Sequence, residues 1–426
     1  MTVWNKGLYA CLLVYTTAAF ELQHIFKNEP YSCPISLPAS CSNKTEIKDS
    51  CCFEFPGGIM LQTQFWDYIP PRGVSDPDEL VKHLGPLESF TNHGLWPDNC
   101  DGSYAQFCSR EDNIDDVWHL LNEDQFNGRD DLSINGTDLL HSMDTYWKSN
   151  TGDDESLWVH EYNKHGTCIR TLSPACYERW GVSGNSKKQA VYDYFRIAMK
   201  LFHDKNTYRT LKSAGIEPSV DRTYTKSEIS SALKNGHSGQ DVHFLCDRHG
   251  SLNQVWYFHS LKGSLLGEQF VPQAAISKRS NCPENNIKWY PKGHVPTSYR
   301  PPNGNYPGTR GVIRIGNGRG FLIKNGHWYL KGTPANFFLL EAPFGNYYLK
   351  TRMGYCGINR ANGVLACNKN VAQAAQFEYD EKKGYIGYNG VNDWFATKYP
   401  RGNQQAPVYT GSDDNGVNFQ LKFVKA

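Results

Sequence analysis

Two short stretches hold side chains whose types and spacing suit proton transfer. FTNHGLWPDNC, residues 90–100, places His93, Trp96 and Asp98 within six positions and closes on Cys100. WVHEYNKHGTC, residues 158–168, supplies His160, Glu161, Lys164 and His165 and closes on Cys168. One histidine cannot serve as both base and acid in a single step, so the stretches read as two halves of one site. Each carries a His-Gly pair, His93-Gly94 and His165-Gly166. A plain polar helix surface would account for the second stretch alone, but not for that shared pair.

The second stretch invites a zinc reading through its resemblance to HExxH, but three residues separate Glu161 from His165 where that motif has two. On a helix of ~3.6 residues per turn, His160 and His165 would point ~140° apart. Two histidines, a lysine and a glutamate fit proton transfer at a phosphate better. Cleaving RNA through its own 2′-hydroxyl needs a base for that hydroxyl, an acid for the departing 5′-oxygen and a cation near the phosphate. Histidine titrates near neutrality, and Lys164 supplies a point charge. Glu161 can bond a phosphate oxygen or tune a histidine. Trp96 offers a face for a base, and Asp98 can accept from an exocyclic amino group.

FTNHGLWP and HEYNKHGTC resemble the two active-site segments of the ribonuclease T2 family, in the right order and each with its cysteine. The resemblance extends over the cysteine pattern from Cys33 to Cys282. It implies His165 as base and His93 as acid, with His160, Glu161 and Lys164 at the phosphate. It implies a base pocket at Trp96, Asp98 and Tyr104, and a second near Gln64, Ser149, Asn150 and Leu157. The implied disulfides are Cys33–Cys52, Cys41–Cys100, Cys51–Cys176, Cys108–Cys168 and Cys246–Cys282. Tyr162 stands where members usually carry tryptophan, which keeps an aromatic wall. Lys148 replaces a common proline beside the second pocket and changes its expected preference. The implied activity is a metal-independent endoribonuclease on single-stranded RNA, inert on DNA and needing no cofactor.

The elements that must position these groups can be read from the rest of the chain. The 426 residues carry 44 Lys+Arg against 43 Asp+Glu, so any RNA contact is local and owes nothing to net charge. Residues 1–20, with Lys6 before an apolar run and Thr17-Ala18-Ala19 at its end, read as a signal peptide. A buried N-terminal helix is the alternative. Cys11 would leave with that segment, and twelve cysteines remain, none in a CxxC pair, which points to disulfides in an oxidising compartment. Asn43 and Asn135 begin glycosylation triplets. A secreted or vacuolar monomer without a membrane span is expected.

Residues 291–310 hold five prolines and three glycines, which reads as a linker between residues 25–290 and 311–426. In the first part Val191, Tyr194, Phe195, Ala198, Leu201 and Phe202 recur at helical spacing. Thr225 and Glu228 offer a capping box, with a stop at Gly236. IMLQTQFW and NQVWYFHS read as strands. The expected class is α+β, a ribonuclease T2-like domain followed by a small all-β domain. In the latter, Cys356 and Cys367 should staple a hairpin. This tail is similar to the extension on some fungal members. Trp328, Tyr329, Tyr347, Tyr348 and Trp394 could serve a glycan or cell-wall contact, although aromatics at strand spacing more often form core. His24, His83, His119, His141, His203, His237, His243, His249, His259, His294 and His327 belong to no motif. The competing function is a non-catalytic RNA- or glycan-binding protein on the same fold, which intact His93 and His165 argue against.

Overall fold

The computed structural model describes residues 33, 37–42, 49–71, 73–122, 134–149, 153–181, 184–276, 280–297, 308–341, 346–359, 362–368 and 375–426. The expected signal peptide, Asn43 and Asn150 lie outside them. The first half contains strands β1 (Gly57–Phe65), β2 (Thr91–Asn99), β3 (Ser219–Tyr224), β4 (His243–Cys246), β5 (Leu252–Leu261), β6 (Phe270–Gln273) and β7 (Ile287–Trp289). Its helices are α1 (Pro77–Leu84), α2 (Val117–Leu121), α3 (Gly136–Tyr146), α4 (Asp154–Lys164), α5 (Pro174–Arg179), α6 (Ser186–Asp204), α7 (Thr207–Ser213) and α8 (Lys226–Gly236).

The main sheet runs β2-β1-β5-β4 in antiparallel order, with β6 sharing the outer edge of β5. Every residue of β1 after Gly57 is buried, because both faces of this inner strand are covered. The apolar face of α6 is buried as its spacing predicts. Its Tyr194 hydroxyl lies 3.2 Å from Leu95 O on β2 and 3.3 Å from Glu161 O on α4. One side chain thus ties together the two elements that carry the chemistry. The capping box at Thr225 and Glu228 is formed, and α8 includes Gly236 with His237 as its cap.

The expected linker is not extended throughout. Gly293 N–H donates to Tyr68 O at 2.8 Å, Lys292 Nζ donates to Leu84 O, and His294 stacks on Tyr290, so residues 291–294 pack onto the first half. The second half is all β. Strands Thr309–Ile315, Phe337–Glu341, Tyr347–Thr351, Gln376–Asp380, Tyr385–Gly387 and Val417–Lys425 pair in that order. The last then pairs with the first, closing a barrel. The barrel has its own core, in which Trp328 and Trp394 are buried and donate to the carbonyls of Arg319 and Ile386. Those two tryptophans are therefore not glycan platforms. Tyr348 is buried as well, and Tyr329 and Tyr347 are half-buried.

All six expected disulfides are formed: Cys33–Cys52, Cys41–Cys100, Cys51–Cys176, Cys108–Cys168, Cys246–Cys282 and Cys356–Cys367. The last pair are direct cross-strand neighbours. Among the described residues, no helix is long and apolar enough to cross a membrane.

Candidate active site

Despite Gly94 and Pro97, residues 91–99 form β2, the edge strand of the sheet. Opposite β1, Thr63 faces Gly94 and Gln64 faces Asn92, so the ladder steps over His93. This β-bulge re-aims the imidazole, the service such irregularities perform beside active sites. The His93 ring stacks on Phe65 with centroids 3.9 Å apart and lies fully buried.

The other half of the site comes from the end of α4. Asp153 caps this helix by accepting from Ser156 N–H. Asn163 anchors its flank with two 2.8 Å bonds to the backbone N–H and C=O of Ile114. His160, Glu161 and Lys164 lie in the last turns, and His165 is the C-cap. The structure brings these residues and His93 together around one carboxylate. Glu161 Oε2 accepts from Trp96 Nε1 at 2.7 Å, and Oε1 lies 3.4 Å from His93 Nε2. His165 Nε2 lies 3.9 Å from Oε2. The repeated His-Gly pair now has two physical causes. A Cβ at Gly94 would fall on Glu161 Oε2, and one at Gly166 would press into the Tyr162 ring.

The electrostatics follow from burial and proximity. Burial works to raise the Glu161 carboxyl, but His93, His160 and Lys164 outweigh it and hold the group below the usual range. Burial lowers His93 despite the neighbouring Glu161. It lowers His160 and His165 well below the ordinary imidazole value, with Lys164 adding to the effect. Lys164 is itself lowered by burial. The partners Glu161 and His93 are both depressed, which reflects a water-poor site holding one firm anion and one cation beside neutral imidazoles.

Trp96 is placed differently from its expected use. Its ring stacks on His165 with centroids 4.9 Å apart and meets Trp256 edge-on, so those neighbours occupy it in place of an open base platform. Asp98 is buried and forms a backbone bridge with Tyr104, which is 58% exposed. Of the residues expected to form the first pocket, Tyr104 is thus the accessible ring. In the expected second pocket, Gln64 is consumed internally. Its Nε2 donates to Gln62 Oε1 and Lys205 O, and its Oε1 accepts from Thr207. Leu157 lies in the core, and Ser149 N–H binds Asp154. Lys148 binds Asp154 at 2.6 Å. Tyr162 packs edge-on against Tyr194 in the core. Sequence reasoning missed Phe65, Gly94 and Asn163. It also missed Asn346 of the barrel, whose Nδ2 lies 3.4 Å from His160 Nε2. Only Gly94 left a signal, the repeated His-Gly pair.

Comparison with known proteins meets this geometry. The model of the Ribonuclease T2 family matches residues 57–282, and that of the RNase T2-like C-terminal domain matches residues 305–424. The chain is 86% identical to a "Ribonuclease T2-like" protein of Kluyveromyces lactis, over 99% of each chain. It is 51% identical to one of Saccharomyces cerevisiae, over 92% of this chain and 94% of that protein. Among solved structures it is similar to Actibind, described as a T2 ribonuclease. That match has 38% identity and a TM-score of 0.52, and covers 61% of this chain and 98% of the other. With both active-site segments folded around Glu161 and both halves matched, the chain belongs to the ribonuclease T2 family.

Proposed function

We propose that this ribonuclease is a metal-independent endonuclease of single-stranded RNA. It acts by 2′-hydroxyl transesterification, giving 2′,3′-cyclic phosphates that are then hydrolysed to 3′-phosphates. The observation that carries this reading is the convergence of His93 and His165, from separate elements, on the single Glu161 carboxylate. His165, neutral in its buried setting, takes the proton of the 2′-hydroxyl. His93 delivers a proton to the leaving 5′-oxygen. Glu161 orients both rings, and Lys164 with His160 offsets the charge that builds on the phosphate. An arriving phosphate anion favours the imidazolium form of His93, against the effect of burial. Mildly acidic pH loads that proton, and DNA, which lacks the nucleophile, is inert. Tyr104 stacks the base on the 5′ side of the cut. Six disulfides and the leader-like first twenty residues support a secreted or vacuolar location.

The test incubates the purified full chain with ApU and with its 2′-deoxy counterpart, in EDTA at about pH 5, where the proton that His93 must carry is favoured over neutral pH. Adenosine 2′,3′-cyclic phosphate should appear from the first alone. Cleavage of the deoxy compound, or loss of activity to the chelator, would sink the mechanism.

A further inference from the structure

The barrel reaches the site just described at two points. Asn346 directs Nδ2 to His160 Nε2 at 3.4 Å. The turn at Asn389 and Gly390 lies on the segment that borders α4. Arg110 donates to Gly390 O at 3.2 Å, and Asn113 donates to Asn389 O at 3.3 Å. A Cβ at Gly390 would collide with Phe107. Phe107 meets His160 edge-on and donates its backbone N–H to Lys164 O.

Behind this turn stands Glu378, on the strand Gln376–Asp380. Part of the residue is exposed, but both carboxyl oxygens are shut from solvent and no hydrogen bond of normal geometry reaches them. The backbone amides of Glu378 itself, Gly390 and Asn389 act to lower the carboxyl, but burial outweighs them. Lys164 and Glu378 act on each other through their charges. A buried carboxyl without a hydrogen bond is costly and calls for an explanation.

The chemistry of the two contacts supplies one. An amide N–H can only donate, so His160 Nε2 accepts from Asn346 and holds no proton there. To bind a phosphate oxygen the same nitrogen must donate. The Glu378 carboxylate favours the charged form of Lys164, the cation that should meet the phosphate. We propose that the C-terminal barrel is an intramolecular competitor for the phosphate subsite, Asn346 engaging His160 and Glu378 engaging Lys164 until an RNA phosphate displaces them. This rests on the reading of His160 and Lys164 as phosphate-binding groups.

Competition by Glu378 requires its ionised form. Lys164 of α4 acts on it, His160 and Glu161 stand on the same helix, Arg110 stands on the segment under the turn, and Asp380 follows on its own strand. Burial pushes the Glu378 carboxyl up to about 7. Its effect on Lys164 therefore operates above that pH and fades as the carboxyl takes a proton below it.

The experiment compares the full-length wild type with Glu378→Gln and Asn346→Ala, using ApU at about pH 7.5 and about pH 5 to bracket the carboxyl. At the higher pH each variant should show KM lowered about five-fold or more with kcat unchanged. For Glu378→Gln the advantage should shrink toward one at the lower pH. An unchanged or raised KM, or a fall in kcat, overturns the proposal. If the wild type leaves ApU intact, the reading of the active site has failed instead. Should melting curves show that Glu378→Gln does not fold, Asn346→Ala, at a half-buried position, carries the same test.

Discussion

A methyl group added at Gly94 would land on Glu161 Oε2 and beside Trp96 Nε1, so the carboxylate that gathers both histidines would have to move. Misplacement by about 1 Å costs on the order of 100-fold in rate. Gly94→Ala should therefore lower kcat by about that factor, with a stability loss of only about 1–3 kcal/mol from overpacking. Steady-state kinetics and urea unfolding of one preparation separate the two effects, and a wild-type kcat would show that Glu161 need not sit where it does. At this scale the sequence was informative about which ionisable side chains gather, as with His93, Glu161, Lys164 and His165. It was uninformative where a role depends on which face of a ring is occupied. Nothing in GLWP reveals that Trp96 lies against His165 and bonds Glu161.

At the scale of elements, α4 and the segment before α2 act as one piece because Asn163 bonds both backbone groups of Ile114. Asn163→Ala would leave a buried N–H and C=O unbonded, costing roughly 1–3 kcal/mol each. That segment also carries Tyr104, the exposed ring of the proposed base pocket. The variant should therefore unfold at lower urea and bind ApU several-fold more weakly, while kcat stays within about two-fold. A kcat loss without a KM change would place Asn163 in the chemistry. The helices were legible because α6 repeats its apolar residues and α8 carries its caps. β2 was not, since Gly94 and Pro97 argue locally for a turn. The strand survives because β2 is an edge strand, where an absent N–H costs little, and because the bulge at His93 absorbs the irregularity. Asn346 and Glu378 were invisible for another reason: only long-range packing brings them to α4.

Across the whole molecule, ionisable groups are buried well beyond the site, and their burial ties the fold to pH. His259 on β5 and His237 at the end of α8 are buried with rings 4.9 Å apart. Burial is the main cause that pushes His237 down to about 4 and His259 to about 3, and Lys205 adds to both. In the unfolded chain each should titrate near 6.5. Below that pH the unfolded state takes up protons that the folded state refuses, so these residues withdraw stability as acidity rises. Other groups work in the opposite sense. Asp67 is raised by burial to about 6 and Glu378 to about 7, so each accepts its proton more readily when folded. The net slope for the whole protein is a balance between the two sets, and a single residue is best isolated by difference. His259→Gln removes one buried imidazole. The wild type should lose stability relative to this variant by about 1.4 kcal/mol per pH unit once the pH falls below about 6.5. By about pH 4.5 that amounts to roughly 3 kcal/mol. Urea unfolding of both proteins at a series of pH values reads this directly. Parallel curves would mean that His259 takes up its proton inside the fold, through an opening in the sheet that this structure does not have.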